Sequence, residues 1–398
     1  MSQPPQQPQG QPQPYPQQPQ YGQAQYPQYG QGQYPQGQYP QGQYPQDQGF
    51  PAPQQPGWQG QPGWQGQPVW TPPVAPPQPT ALPTTVLDYP RFWRSPRWRW
   101  WRPVVTVVLG LVAFMVLSTV AILVGFGIDI ATGRSRPEDM ASMGNDLKMT
   151  PAIFLTNNFA LALLIPLCLL LSRWPMGQTG GWLASVVGRI RWGWLGRCLL
   201  IMLPLWLLHV GITTWLALTG PDPEQLHVTK DTWILLAGIL LTTPFQAAGE
   251  EYAFRGVLNR AAGSYFRHPT VALVVGLVFS STLFMLAHGA GDTWLNIYYF
   301  CFGAIAAIMT WRTGGLEAAI AMHVVNNVLS ELIMPFTDIS GMFNRESGVG
   351  DPSILVMTAV QLLALALVEW QARRRGLVRA AAPGLDELPA PRLDPQLS

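Results

Sequence analysis

Eight stretches of about twenty mostly apolar residues follow one another along the chain, each long enough to cross the hydrocarbon core of a bilayer as a helix. They lie near Val104–Ile128, Ala152–Leu171, Cys198–Leu218, Thr232–Phe254, Val271–His288, Trp294–Trp311, Leu316–Pro335 and Ser353–Trp370. In lipid every backbone N–H and C=O needs an internal partner, so runs of this kind are helices. The reading is an all-α polytopic membrane protein of about eight transmembrane helices. The turn between the sixth and seventh runs is only Thr-Gly-Gly, Thr313 to Gly315.

Loop charges give an independent test of this path. Arginines cluster before the first span, then at Arg173, Arg189, Arg191 and Arg197, at Arg260 and Arg267, at Arg312, and at Arg373, Arg374, Arg375 and Arg379. The intervening loops are acidic or mixed, with Asp222, Glu224, Asp231, Asp292, Asp338 and Glu346. This alternation predicts that both termini are cytoplasmic. Two Lys against 21 Arg point to a high-GC bacterial genome, and so to a bacterial plasma membrane.

Residues 1–89 are of another kind. Up to Pro90 the only charges are Asp47 and Asp88, and GQYPQ recurs from Gly32, Gly37 and Gly42. Such a Gln/Pro/Gly/Tyr-rich segment has few aliphatic side chains to bury, which predicts a disordered cytoplasmic tail. It has neither the basic nor the apolar region of a signal peptide. A flexible tail is the first reading, and a tyrosine-rich docking tail with a protein partner is the second. Between the tail and the first span, RFWRSPRWRWWR (91–102) carries five Arg and four Trp. Beside a span, this pattern predicts interfacial anchoring on anionic lipid and no nucleic-acid binding. The expected layout is the tail at 1–89, a membrane domain at 90–376 and a disordered C-terminal tail at 377–398. Cys168, Cys198 and Cys301 form no metal-binding spacing and read as packing residues.

Polar residues inside the spans carry the functional signal, because ionisable groups at membrane depth are costly and usually functional. Glu251 and Arg255 stand four apart with the acid first, the favourable order for a helical ion pair. That pairing leaves the adjacent Glu250 without a local partner and makes it a candidate general base. Phe284 and His288 share a face of the fifth span, and His323 and Asn327 share a face of the seventh. Glu, His, His and Asn on three spans can surround one water-filled pocket. The same residues would also suit an ion or proton pathway, although no inverted repeat is visible.

Three motifs resemble those of the CPBP intramembrane proteases, the family of CAAX prenyl proteases and bacteriocin-processing (Abi) enzymes. EEYAFR at 250–255 is similar to its E-E-x-x-x-R motif, FMLAH at 284–288 to F-x-x-x-H, and HVVNN at 323–327 to H-x-x-x-N. The motifs fall in the family's order within about 232–335. The resemblance implies an endopeptidase acting on membrane-associated peptides or proteins. It implies that Glu250 activates the attacking water with help from His288, and that His323 and Asn327 steady the oxyanion. Glu251, Arg255 and Phe284 would support the site. A metal-free glutamate mechanism is favoured here, since no HExxH is present, His288 and His323 lie on different helices, and Asn327 would be an unusual zinc ligand. The alternative is a Zn2+ held by Glu250, His288 and His323. One tension follows from straight spans: Glu250 would sit near the cytoplasmic end and His288 near the outer end. A fourth helix continuing through Arg260 towards Tyr265 would relieve it.

Overall fold

The computed structural model describes residues 79–142, 149–221, 223–337 and 346–387. Eight of its helical segments are long and apolar enough to cross a membrane. They are α1 (Trp101–Ala131), the pair α2 (Pro151–Ala162) and α3 (Leu164–Arg173), and α5 (Trp192–Thr219). Next comes a continuous run of α6 (Thr232–Glu251), a π-helical segment (Tyr252–Leu258) and α7 (Asn259–Gly263). The remainder are α8 (Pro269–Ala287), α9 (Thr293–Thr313), α10 (Glu317–Glu331) and α11 (Ile354–Arg374). A single-turn helix, α4 (Gly180–Ala184), lies between the second and third crossings. The expected polytopic all-α architecture is present, and among the described residues one short antiparallel strand pair joins β1 (Leu87–Asp88) and β2 (Ala380–Ala381).

Contacts among the connecting segments sort into two sets. In one, Arg94 donates to Ser264 O at 2.7 Å, Tyr265 donates to Trp100 O at 2.5 Å, and Arg191 pairs with Glu317 at 2.6 Å. Arg312 and Arg373 both pair with Glu369, and Leu87 lies opposite Ala381 in the antiparallel β pair. In the other, Arg134 pairs with Asp231 at 2.6 Å, His227 N–H donates to Phe336 O at 2.8 Å, and Gly348 N–H donates to Asp292 at 2.9 Å. The Arg134 guanidinium holds the Asp231 carboxyl below the usual carboxylate range. Each connection lies on the end that an eight-crossing path requires, and the arginine-rich loops gather at one end.

That end corrects the expected domain boundaries. Residues 79–89 and 377–387, assigned from composition to disordered tails, are packed where the structure describes them. Leu82, Leu87 and Tyr89 are buried, and Tyr89 OH donates to Leu183 O at 2.5 Å. The Tyr89 ring lies 3.7 Å from the Arg260 guanidinium, which also donates to Trp182 O at 2.7 Å. Composition misplaced the boundary because a few apolar side chains and one aromatic ring suffice to dock a short segment. Residues 1–78 and 388–398 lie outside the described residues. The Arg/Trp segment also divides its labour: Phe92 and Trp93 are fully buried, whereas Trp100 and Trp101 are exposed at the start of α1 and suited to the interface.

The fourth crossing extends beyond its hydropathy boundary at Phe254 and runs from Thr232 to Gly263. Hydropathy stops early because Arg255 and Arg260 count as exposed charges, yet both are fully buried with partners. The crossing is seated by close approach to the second. Pro166 has no N–H for the carbonyl of Ala162, and the α2–α3 crossing breaks at Leu163. Leu161 O then lies so near Gly249 that a Cβ there would come within 2.0 Å of it. Only glycine admits that contact, immediately before Glu250.

Candidate active site

A cavity of about 610 Å³ opens among α1, α2, α3, α6, the π segment and α8 to α10, and Glu250, His288, His323 and Asn327 all line it. Glu250 and His288 therefore reach one space, as the prolonged fourth helix requires.

Cross-contacts between α6 and α10 build the polar wall. Glu250 Oε2 lies 3.7 Å from His323 Nε2. One turn along, Asn327 Nδ2 donates to Gln246 Oε1 at 3.2 Å. One turn further, Thr243 Oγ1 donates to Glu331 Oε2 at 2.7 Å. Residues 250, 246 and 243 descend one face of α6 while 323, 327 and 331 climb one face of α10, as the 3.6-residue period dictates for antiparallel helices. Three polar rungs result.

The first rung corrects the expectation that Glu250 lacks a local partner. Gln246, one turn earlier, donates from Nε2 to Glu250 Oε1 at 2.5 Å. Gln246 in turn accepts from Asn327, whose Oδ1 accepts from Asn326 Nδ2 at 3.0 Å. Asn326 Oδ1 is held by Trp206 Nε1 and Tyr298 OH, both at 3.2 Å. These donors all point the same way, ending on the Glu250 carboxylate. An amide must present either nitrogen or oxygen to each neighbour, so the chain fixes the orientation of every member.

His323 is held from the other side. Its Nδ1 donates to Glu251 Oε1 at 2.7 Å, which leaves Nε2 towards Glu250. The same Glu251 oxygen lies 3.0 Å from Arg255, and both of these charged side chains are fully buried. The pair survives within a π-helical turn, a geometry often found at functional sites. Arg255 also lies 4.4 Å from the Phe284 ring centroid, an attraction between cation and ring quadrupole. Phe284 sits 4.5 Å from the His288 ring and packs parallel to Phe302 at 5.6 Å. His288, at the C-cap of α8, donates from Nδ1 to Phe284 O at 2.8 Å and stacks on Tyr299 at 3.9 Å. Phe284 thus supports both an arginine and a histidine.

Glu250, His288 and His323 are the side chains that would hold a Zn2+ here. Among the described residues no three His, Cys, Asp or Glu side chains are gathered closely enough to hold a metal. The Nδ1 atoms of both histidines bond Glu251 and Phe284 O, as the second ring nitrogen of a metal-binding histidine also does, so any zinc would have to take Nε2.

Gln246, Tyr298, Tyr299, Asn326 and Glu331 belong to this wall and were not singled out by sequence reasoning. Gln246 stands four residues before Glu250 and Glu331 four after Asn327, so helical spacing carried a signal for both. Tyr298 and Tyr299 carried none, being ordinary aromatics in an apolar helix.

Residues 232–329 match the family model described as Type II CAAX prenyl endopeptidase Rce1-like. The chain carries a CPBP-family domain. All four sequence-predicted cavity residues fall inside this domain, and α1 to α3, which precede it, complete the cavity wall. The chain is also 29% identical over 137 residues to the uncharacterised protein YyaK of Bacillus subtilis (strain 168), covering 34% of this chain and 43% of that relative. No solved structure matches it significantly.

Proposed function

We propose that this protein is an intramembrane endopeptidase that hydrolyses peptide bonds of membrane-associated substrates by a water activated at Glu250. The observation that carries the reading is the convergence of Glu250, His288, His323 and Asn327 on one cavity within the CPBP domain. Glu250 takes a proton from water as the oxygen attacks the scissile carbonyl carbon. The C–N bond then breaks, and the proton passes to the leaving amine. His288 assists in positioning the water. Oxyanion stabilisation falls to Asn327, whose Nδ2 has a second hydrogen beyond the one given to Gln246, and to His323 Nε2 in the form of the ring that carries a proton on both nitrogens. Glu251 and Arg255 hold His323, and no step is routed through a metal.

Apolar side chains such as Leu111, Phe114 and Leu286 form much of the cavity wall, which suits substrates that arrive from the bilayer. The arginine-rich end would face the cytoplasm of a bacterial plasma membrane, with both termini on that side. A protein partner for the N-terminal segment belongs to the same proposal.

The test is cleavage of a quenched peptide reporter by detergent-purified protein. Glu250→Gln keeps the shape and removes the base, so turnover falls by about 10²-fold or more while yield and unfolding temperature hold. Near wild-type turnover in that variant rejects the assignment.

A further inference from the structure

The third rung is not needed for bond cleavage. Glu331 lines the cavity two turns beyond His323, on the face of α10 that also carries Asn327. Its only hydrogen-bond partner among the described residues is the Thr243 hydroxyl. The hydroxyl donates in that bond. Thr242 Oγ1 gives its proton to Gly238 O at 2.6 Å, so it can only accept from Asn158, which turns the Asn158 Nδ2 group towards both threonines. Thr243 Oγ1 thus accepts from Asn158 at 3.1 Å, and its own proton goes to Glu331 at 2.7 Å. Glu331 is held as an acceptor, with lone pairs to spare.

No Lys, Arg or His among the described residues forms an ion pair with Glu331, whereas Glu251, Glu317 and Glu369 each have an arginine. A carboxylate in a largely apolar membrane cavity calls for a cation. We propose that Glu331 forms a specificity subsite for a lysine or arginine side chain of the peptide substrate, a proposal that rests on the protease reading. Eight residues of α10 separate it from His323, about 12 Å at 1.5 Å per residue. An extended peptide rises about 3.3 Å per residue, so the basic residue lies about three or four positions from the cleaved bond.

The experiment scans a single lysine through positions one to five on each side of the cleaved bond of a neutral reporter. Full-length protein in detergent is used, and the readout is the ratio of kcat/KM for each lysine peptide to that of its glutamine counterpart. A charge-assisted contact predicts a ratio of about 10 or more at the third or fourth position on one side. In Glu331→Gln the ratio at that position falls to about one. In Glu331→Lys a glutamate peptide becomes the preferred substrate, a gain that misfolding cannot produce. Taking ratios cancels differences in the active fraction between preparations. If wild type cleaves the neutral reporter without a lysine preference, or if Glu331→Gln keeps the preference, the subsite is refuted and the protease reading stands. If wild type cleaves no reporter, both fall.

Discussion

Replacing Gln246 by leucine tests whether the carboxylate of Glu250 works as an oriented group or merely as a nearby one. Leucine keeps roughly the volume of glutamine and deletes two contacts, the 2.5 Å donation to Glu250 and the 3.2 Å bond from Asn327. A hydrogen bond to a charged group contributes about 1.5–3 kcal/mol. If the transition state needs that orientation, kcat falls about 10- to 100-fold, since each 1.4 kcal/mol is a factor of ten. If Gln246 acts only by orienting Glu250, KM changes by no more than about twofold. The assay measures kcat and KM separately on the peptide reporter, with unfolding temperature recorded on the same preparation. Combining Gln246→Leu with Asn327→Ala sharpens the result. Both act through one chain of donors, so the double variant loses less than the product of the single losses. A kcat within about twofold of wild type refutes the orientation argument, and fully multiplicative losses refute the shared chain.

Two further outcomes follow from the buried charges and the histidines. Arg255→Ala leaves fully buried Glu251 with only His323 beside it and no permanent counter-charge, and breaking such a pair costs about 3–5 kcal/mol. A lowered unfolding temperature should therefore accompany lost activity, and wild-type stability in this variant would show that the pair is not structural. Chelator-treated protein that still cleaves the reporter is expected to contain far less than one zinc per chain by elemental analysis. One zinc per chain, lost together with activity in His288→Ala and His323→Ala, would overturn the metal-free mechanism.

Much of the path through the membrane was legible in the sequence because apolar length is a direct physical requirement of the bilayer. The motif spacing also placed Phe284 against His288, as four-residue helical neighbours must be. What hydropathy missed was compensation. Arg255 and Arg260 read as the end of a span, yet a carboxylate on one and an aromatic ring on the other keep both inside the fold. The partner of Glu250 was missed for a different reason: glutamine carries no charge, so a search for ion pairs passes over Gln246. Glu331 stands two turns beyond His323, at the end of the seventh apolar run, where an acid reads as the interface.

The small antiparallel pair of β1 and β2 sets the order in which the molecule can be completed. Leu87 is synthesised before any membrane helix, and Ala381, the residue it faces, comes after the last one. On the ribosome the first strand therefore has no partner while all eight crossings are made and inserted. The segment bearing Tyr89, which covers the Arg260 guanidinium, is anchored fully only when the final stretch of chain returns beside it. Helices can insert one by one, but the arginine-rich end of the protein closes last, and closure records that every crossing has been completed.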